Sequence, residues 1–435
     1  MRGPGQGHVR ETNAAEEAGV VICGAGVAGL AAACALGRQG VDVLLLEKQR
    51  KQPPVAKGEV LQPGSLDLLH RWGVLPALEA RRAVRLERLV ARRADGSELL
   101  TMDFGALDGE RPWMLSLDYA TILECLEESL GAVVRRRRGV LVNDLVRDGG
   151  GRVVGLRVTE GGKEREIRAG VVLAADGRSS RLRRLSGMTA DPVAYDHRLL
   201  SFELEGKPPV DDEVSAYVTD RGLVMVYPLP DERIRVYVQV AADELRKADQ
   251  ARLQQWCDEL LADVPALAPL ATALKGGLDS RQLLPVFQFR APSLVRPGIA
   301  LIGEAAHGVH PLAAQGMNTA IADAAAFASR LAAVDLTDPA AADAALRAYE
   351  GERLGSVKAI HTMSHNAARM MTSTSRGGRM LGRRLLTGTS RSPRLRHLTT
   401  YNMSGLGMRP LTALDRLVQL GLLPERRARP VGGAG

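Results

Sequence analysis

The sequence predicts an α/β protein with a Rossmann-type nucleotide-binding domain, a second domain built on antiparallel sheet, and a helical C-terminal region. Three observations carry this. Residues 20–47 read as strand, glycine-rich turn, helix and strand. Two later buried strands end in small-residue turns, at 171–177 and 299–318. Short alternating strands fill the stretch between them.

Composition agrees. A chain of 435 residues suggests two or three domains, and 45% hydrophobic residues suffice for sizeable cores. Cys23, Cys34, Cys125 and Cys257 are scattered, with no CxxC spacing. That points to a reducing, cytoplasmic setting and away from a disulfide framework or zinc ribbon. The net charge of +8 is uneven: residues 351–435 hold 15 Lys and Arg against Glu352, Asp415 and Glu425, leaving the first 350 residues net negative. No nucleic-acid motif accompanies those arginines, so no nucleic-acid partner is expected. Residues 18–37 are uncharged and long enough to span a bilayer, but five are glycines clustered after a β-branched run, which suits strand, turn and helix better. The segment before them is polar, unlike a signal peptide, and residues 1–17 are expected to be disordered.

In the first unit, Val20, Val21 and Ile22 form a buried strand, Gly24, Gly26 and Gly29 fit G-x-G-x-x-G, and a small-residue helix ends near Gly40. The next strand, "VDVLLLE", places Glu47 at its end, 18 residues after Gly29. Gly24 permits the tight turn, Gly26 lets backbone approach a pyrophosphate, and Gly29 lets the helix pack closely on the strand, while the helix amides face the phosphates. Glu47 is placed to accept from a ribose. Ala28 and Lys48 complete the expected contacts here. The motif fits a dinucleotide without choosing between flavin and nicotinamide.

The strand at 171–174 ends in Asp176-Gly177, and the strand at 299–302 runs into "GEAAHGVHPLAAQGMN". Glu304, His307 and His310 have the look of metal ligands. Yet ligands must converge, Glu304 follows a strand, His307 lies in a turn beside Pro311, and no further cluster supplies partners. No metal is expected, and His307 is read as holding the turn by hydrogen bonds.

These three segments, in this order and spacing, resemble the flavoprotein monooxygenases related to para-hydroxybenzoate hydroxylase, over residues 18–350. The resemblance implies bound FAD, with NAD(P)H as a transient co-substrate and O2 as the oxidant. A flavin C4a-hydroperoxide would then hydroxylate or epoxidise the substrate. It places Asp176, Gly177 and Arg181 between the flavin and nicotinamide sites. Gly303 and Glu304 fall at the ribityl chain. The turn carrying Pro311, Gly316, Met317 and Asn318 starts a helix aimed at the isoalloxazine. Such a helix directs N–H groups and positive partial charge at whatever lies there, as a reduced flavin requires. Three departures stand out: Glu304 replaces the usual Asp, Ala314 replaces the first Gly of G-Q-G, and Asp118-Tyr119 stands where the family often has a cofactor-clamping Arg. "KGEVLQPG", Lys57 to Gly64, is similar to squalene epoxidases and tilts the expected substrate toward apolar, isoprenoid-bearing or polycyclic molecules.

The expected organisation is an FAD-binding domain of 18–190 and 290–335, a substrate domain of 191–289, and a helical basic region of 336–435. Strand 233–240 puts Ile234, Val236, Val238 and Val240 on one face and Arg233, Arg235, Tyr237 and Gln239 on the other. That polar face lines a pocket or meets solvent, and solvent is expected for the arginines. Phe287 and Phe289 point into the core or over the substrate. The arginine-flanked apolar patches of the tail mark either a peripheral membrane surface or a helix packed on the flavin domain. No catalytic base is assignable, and an apolar pocket without paired charges is expected. A reductase of a polyprenyl lipid and a non-catalytic flavin-binding module are the alternatives.

Overall fold

The computed structural model describes residues 16–51 and 59–424. Its first sheet runs, from edge to edge, Val295–Arg296, Ile299–Leu301, Lys163–Ala174, Glu16–Cys23, Val43–Glu47 and Val134–Arg138. The four strands after Ile299–Leu301 continue parallel with it, and Ile22 pairs with both Leu173 and Leu45. Both faces are buried along Val20–Cys23, Val43–Leu46, Val171–Ala174 and Ile299–Leu301, which read as continuous apolar runs rather than alternating ones, whereas the edge strand Val134–Arg138 is arginine-rich and partly exposed. The glycine turn leads into the helix Val27–Arg38, which is buried along most of its length and packs on the helix Gln315–Leu331. Glu16 and Glu17, grouped by sequence with a disordered N-terminus, pair with Ile167 and Arg168 in this sheet. Residues 1–15 lie outside the described residues.

The second sheet orders His307–Gly308, Gln282–Arg290, Val193–Glu205, Arg233–Ala241, Gly222–Leu229, Glu213–Thr219, Arg88–Arg92 and Glu98–Asp103. Residues 88–103 thus add two strands here although they fall within the 18–190 span. They join because Arg88–Arg92 pairs in parallel with Glu213–Thr219, a long-range match that local pattern does not reveal. One face of the sheet is covered by Trp256, Leu260 and neighbouring apolar residues of 245–278. The other face packs against Val60 and the C-terminal helices, through Met371, Leu386 and Met403.

The C-terminal region is helical, as expected: Pro339–Thr372, Arg376–Arg391, Pro393–Met403 and Ala413–Gln419. Its second helix packs against the strand Glu98–Asp103 and the helix Pro339–Thr372, with Arg379 and Arg383 both meeting Asp220. Among the described residues, no helix is long and apolar enough to cross a membrane.

Candidate active site

Between the two sheets lies a cavity of about 230 Å³, walled by the glycine turn, Gly177, Glu304 and the start of the helix Gln315–Leu331. The glycines separate into two kinds. A Cβ on Gly24 would lie 2.3 Å from the Ala175 carbonyl oxygen, and one on Gly29 would lie 1.9 Å from that of Gly24. These two are glycine so that the turn can fold, and Gly24 also sits at φ +107°. At Gly26 a Cβ would meet only the Tyr119 hydroxyl, at 3.7 Å, and at Gly316 only Val309, at 4.0 Å. The protein itself leaves these two faces open on the cavity side, as close approach of a cofactor's backbone requires. On this test the residues fit a bound dinucleotide.

Glu47 is held by the turn it follows. Its Oε2 accepts from the Ala25 N–H at 2.8 Å and its Oε1 from the Gln49 N–H at 2.8 Å. Each carboxylate oxygen keeps lone-pair capacity for a ribose hydroxyl. Lys48 is exposed beside it. Asp176 is likewise tied down: it accepts from the Ser180 hydroxyl and from the backbone N–H groups of Arg181 and Leu182. Arg183 then joins this segment to the Glu304 loop by donating to the Ala305 carbonyl at 2.7 Å. Burial lowers the Arg183 pKa, against the pull of Asp176. Gly177, at φ +80°, faces the cavity with nothing near its missing Cβ.

The two histidines and the glutamate of the 303–324 stretch go to different places. Glu304 lines the cavity. His307 pairs with the fully buried Asp323 at 2.7 Å, while Arg353 donates to the other Asp323 oxygen at 2.8 Å. The Gly303 N–H also donates to Asp323. Burial alone would raise the Asp323 pKa, but Arg353 and His307 overcome it and the net direction is down. This buried carboxylate thus holds both ends of the Glu304 loop. His310 caps the next turn, accepting from the Leu312 N–H at 3.1 Å, and its Nε2 lies 3.0 Å from that of His197. Burial lowers its pKa to about 3, helped by His197 and His365. It is therefore neutral at physiological pH.

Ala314 occupies the left-handed region, at φ 47° and ψ 29°. A glycine would reach this conformation without strain, so the departure from G-Q-G falls where it costs most. The Asn318 side chain is fully engaged. It accepts from the Gln62 N–H at 2.9 Å and donates to the carbonyls of Val60, at 3.0 Å, and Ala314, at 2.6 Å. What Gly316, Met317 and Asn318 offer a cofactor is therefore backbone N–H and helix dipole. The same bonds clamp the segment after Glu59 onto the helix start. Lys57 and Gly58, the beginning of the squalene-epoxidase-like segment, lie outside the described residues.

Sequence reasoning missed the charged wall. Arg235, expected in solvent, is buried and makes a bidentate pair with the buried Glu59, at 2.9 and 2.6 Å. Tyr227 donates to the same carboxylate at 2.8 Å, and Glu59, Tyr227 and Tyr237 all line the cavity. Arg233 pairs with Asp118 at 2.6 Å, so the acid standing at the family's arginine position serves as a bridge to the second sheet. Gln239, on the same face, is also buried and donates to the Thr372 carbonyl at 2.9 Å. The expectation of a cavity without paired charges is thus corrected: Arg235, Tyr237 and Gln239 on the second sheet's polar face are buried beneath residue 59 and the long helix, while Arg233 stays partly exposed. Burial raises both tyrosine pKa values, Tyr237 to about 12, with Glu59 reinforcing the shift. Both stay protonated near neutrality, as hydrogen-bond donors rather than bases. Phe287 and Phe289 stack on one another and on Arg178 and Arg183, closing over Gly308 rather than over the cavity.

A family model described as an FAD binding domain matches residues 17–364. The 6-methylpretetramide 4-monooxygenase of Streptomyces rimosus is 32% identical over 406 residues, covering 90% of this chain and 93% of that protein. Squalene epoxidase of Schizosaccharomyces pombe is 25% identical over 347 residues, 75% of this chain and 72% of that one. PqsL of Pseudomonas aeruginosa, a probable FAD-dependent monooxygenase, matches at TM-score 0.72 and 25% identity over 89% of this chain and all of its own. Klebsiella pneumoniae HpxO, solved with FAD and uric acid, shares the fold at TM-score 0.74 and 20% identity, over 90% of this chain and 97% of its own.

Proposed function

Because the chain belongs to this FAD binding domain family, as an FAD-dependent monooxygenase, we propose that its substrate is an apolar aromatic or isoprenoid-bearing small molecule of specialised metabolism. NAD(P)H supplies two electrons, one atom of O2 enters the substrate, and the other leaves as water. FAD, when bound, supplies the electron transfer and oxygen activation, for which no protein side chain is suited.

The observation that carries the substrate reading is the cavity wall beyond the glycine turn, where Val60, Leu89, Met114, Val214, Met225 and Leu312 face inward. Apolar contact, not an ionic clamp, would hold the substrate there, because the Glu59 charge is already matched by Arg235. Tyr237 can donate a hydrogen bond to a substrate oxygen. Gly24, Gly26, Ala28, Gly29, Glu47 and Lys48 are assigned to the ADP half of the cofactor. Asp176, Gly177, Gly303, Glu304, Pro311, Gly316, Met317 and Asn318 are assigned to its flavin half. N–H groups at the helix start stabilise negative charge on a ring placed there by about 0.3–1 kcal/mol. Exclusion of water by the apolar wall protects the activated oxygen.

The test is NAD(P)H oxidation by holoenzyme, screened against prenylated aromatics, polyenes and para-hydroxybenzoate, with mass detection of one added oxygen. Stimulation and oxygenation by the apolar compounds support the reading. Efficient coupling to the small charged phenol alone would overturn it. The tail carries a second proposal, peripheral contact with an anionic membrane, supported by exposed Met380, Leu381, Leu414 and Leu422 among its arginines.

A further inference from the structure

A second cavity, of about 370 Å³, lies between the edge strands Arg88–Arg92 and Glu98–Asp103 and the C-terminal helices. Six of the chain's twelve methionines line it: Met102, Met363, Met370, Met371, Met403 and Met408. Two of its polar wall groups, Asn402 and Gln419, are already engaged. Asn402 exchanges hydrogen bonds with the Arg409 backbone at 2.8 and 2.7 Å. Gln419 donates to Thr389 at 2.8 Å and accepts from Arg416 at 2.9 Å. A ligand here would meet little demand for polar partners. Thioether side chains offer an adaptable, polarisable surface that moulds to irregular apolar shapes. Leu89 and Leu312 line both this cavity and the flavin-side one, so the two chambers adjoin. Exposed Lys358 and Pro410, also in its lining, mark a mouth toward solvent.

We propose that this methionine-lined chamber is a binding site for an apolar chain of isoprenoid size, the extension of a substrate whose reacting end lies beyond Leu89 and Leu312. The proposal rests on the apolar-substrate reading above and adds to it a role for the C-terminal helices. They build a compartment that the flavin-binding part and the second sheet lack on their own.

The experiment uses FAD-loaded enzyme and the uncharged fluorophore N-phenyl-1-naphthylamine, with farnesol as competitor. Two variants narrow the chamber. Gly355→Leu introduces a side chain at a helical position where a Cβ meets nothing within 4 Å, so it favours the helix while occupying the mouth. Ala367→Phe fills the interior. The parent is expected to bind the probe and release it to farnesol, and both variants to weaken probe binding about tenfold or more, with FAD content and unstimulated flavin reduction unchanged. Parent-like probe affinity in both variants overturns the proposal, as does a probe that farnesol fails to displace. Failure of the substrate reading shows separately: no apolar compound would stimulate NAD(P)H oxidation, while the probe would still bind the parent and be lost from the variants.

Discussion

Replacing His310 by Asn tests how the flavin-side turn is held. Buried among His197 and His365, His310 has its pKa lowered from 6.5 to about 3. The unfolded chain therefore takes up a proton near pH 6.5 that the native state refuses until about pH 3. Stability from this group is complete above the unfolded pKa and is lost as pH falls toward the folded one, at about 1.4 kcal/mol per pH unit. Between about pH 7 and pH 5 the loss is about 2 kcal/mol. In the folded state Nδ1 keeps accepting from the Leu312 N–H until His310 is protonated near pH 3, so any FAD released between about pH 7 and pH 5 should follow global unfolding rather than local loss of this turn. Asn at 310 keeps a side-chain acceptor for that N–H but does not titrate. Urea denaturation across this range, with released flavin measured in parallel, should show a variant within about 1 kcal/mol of the parent near neutrality. By about pH 5 its decline should be about 2 kcal/mol shallower. His361 and His365, whose pKa values burial also lowers, are present in both proteins and cancel in the comparison. Parallel decline of the two proteins would refute the reasoning.

Arg235→Met leaves the buried Glu59 charge with Tyr227 but without its cation, and should cost about 3–5 kcal/mol. The Glu59→Gln/Arg235→Met double variant should recover most of that in thermal or urea unfolding, and strict additivity would mean the pair is hydrated in solution. Glu47→Ala should purify folded but depleted in FAD, with binding weakened by about 1.5–3 kcal/mol; flavin titration showing parent affinity would reduce Glu47 to a surface acid. Ala314→Gly should relieve the left-handed strain and stabilise by about 1 kcal/mol, and a loss of stability would show that the methyl contributes more by packing than it costs. If the tail contacts membranes, sedimentation with anionic liposomes should occur at low salt and fade as salt rises; no binding at low salt would leave its arginines to intramolecular pairs such as Arg383 with Asp220.

What was legible in the sequence is what short segments of backbone decide. Gly24, Gly29 and the β-branched strand before them specify a tight turn and close helix packing within a few residues of one another, and the structure places them so. The His307 hydrogen-bonding role was likewise readable, because the turn around it excludes converging ligands. Its partners were not readable: Asp323 lies on the following helix and Arg353 on the one after.

By itself the sequence determined the strand–turn–helix–strand unit of residues 20–47, the turns after the strands at 171–174 and 299–302, and the helix beginning near Gly316, because each depends on periodicity and on backbone freedom at particular positions. Only the tertiary structure decided the environment of the second sheet's polar face. Alternation along strand 233–240 assigns Arg235 to a face, but whether that face meets water depends on Glu59, 176 positions earlier, closing over it. The tail was decided the same way. Its arginines and methionines suit a membrane or a protein core equally well by composition. It is the pairing of residues 88–103 with the second sheet that gives the C-terminal helices an apolar edge to cover, and in covering it they enclose a chamber beside the flavin cavity.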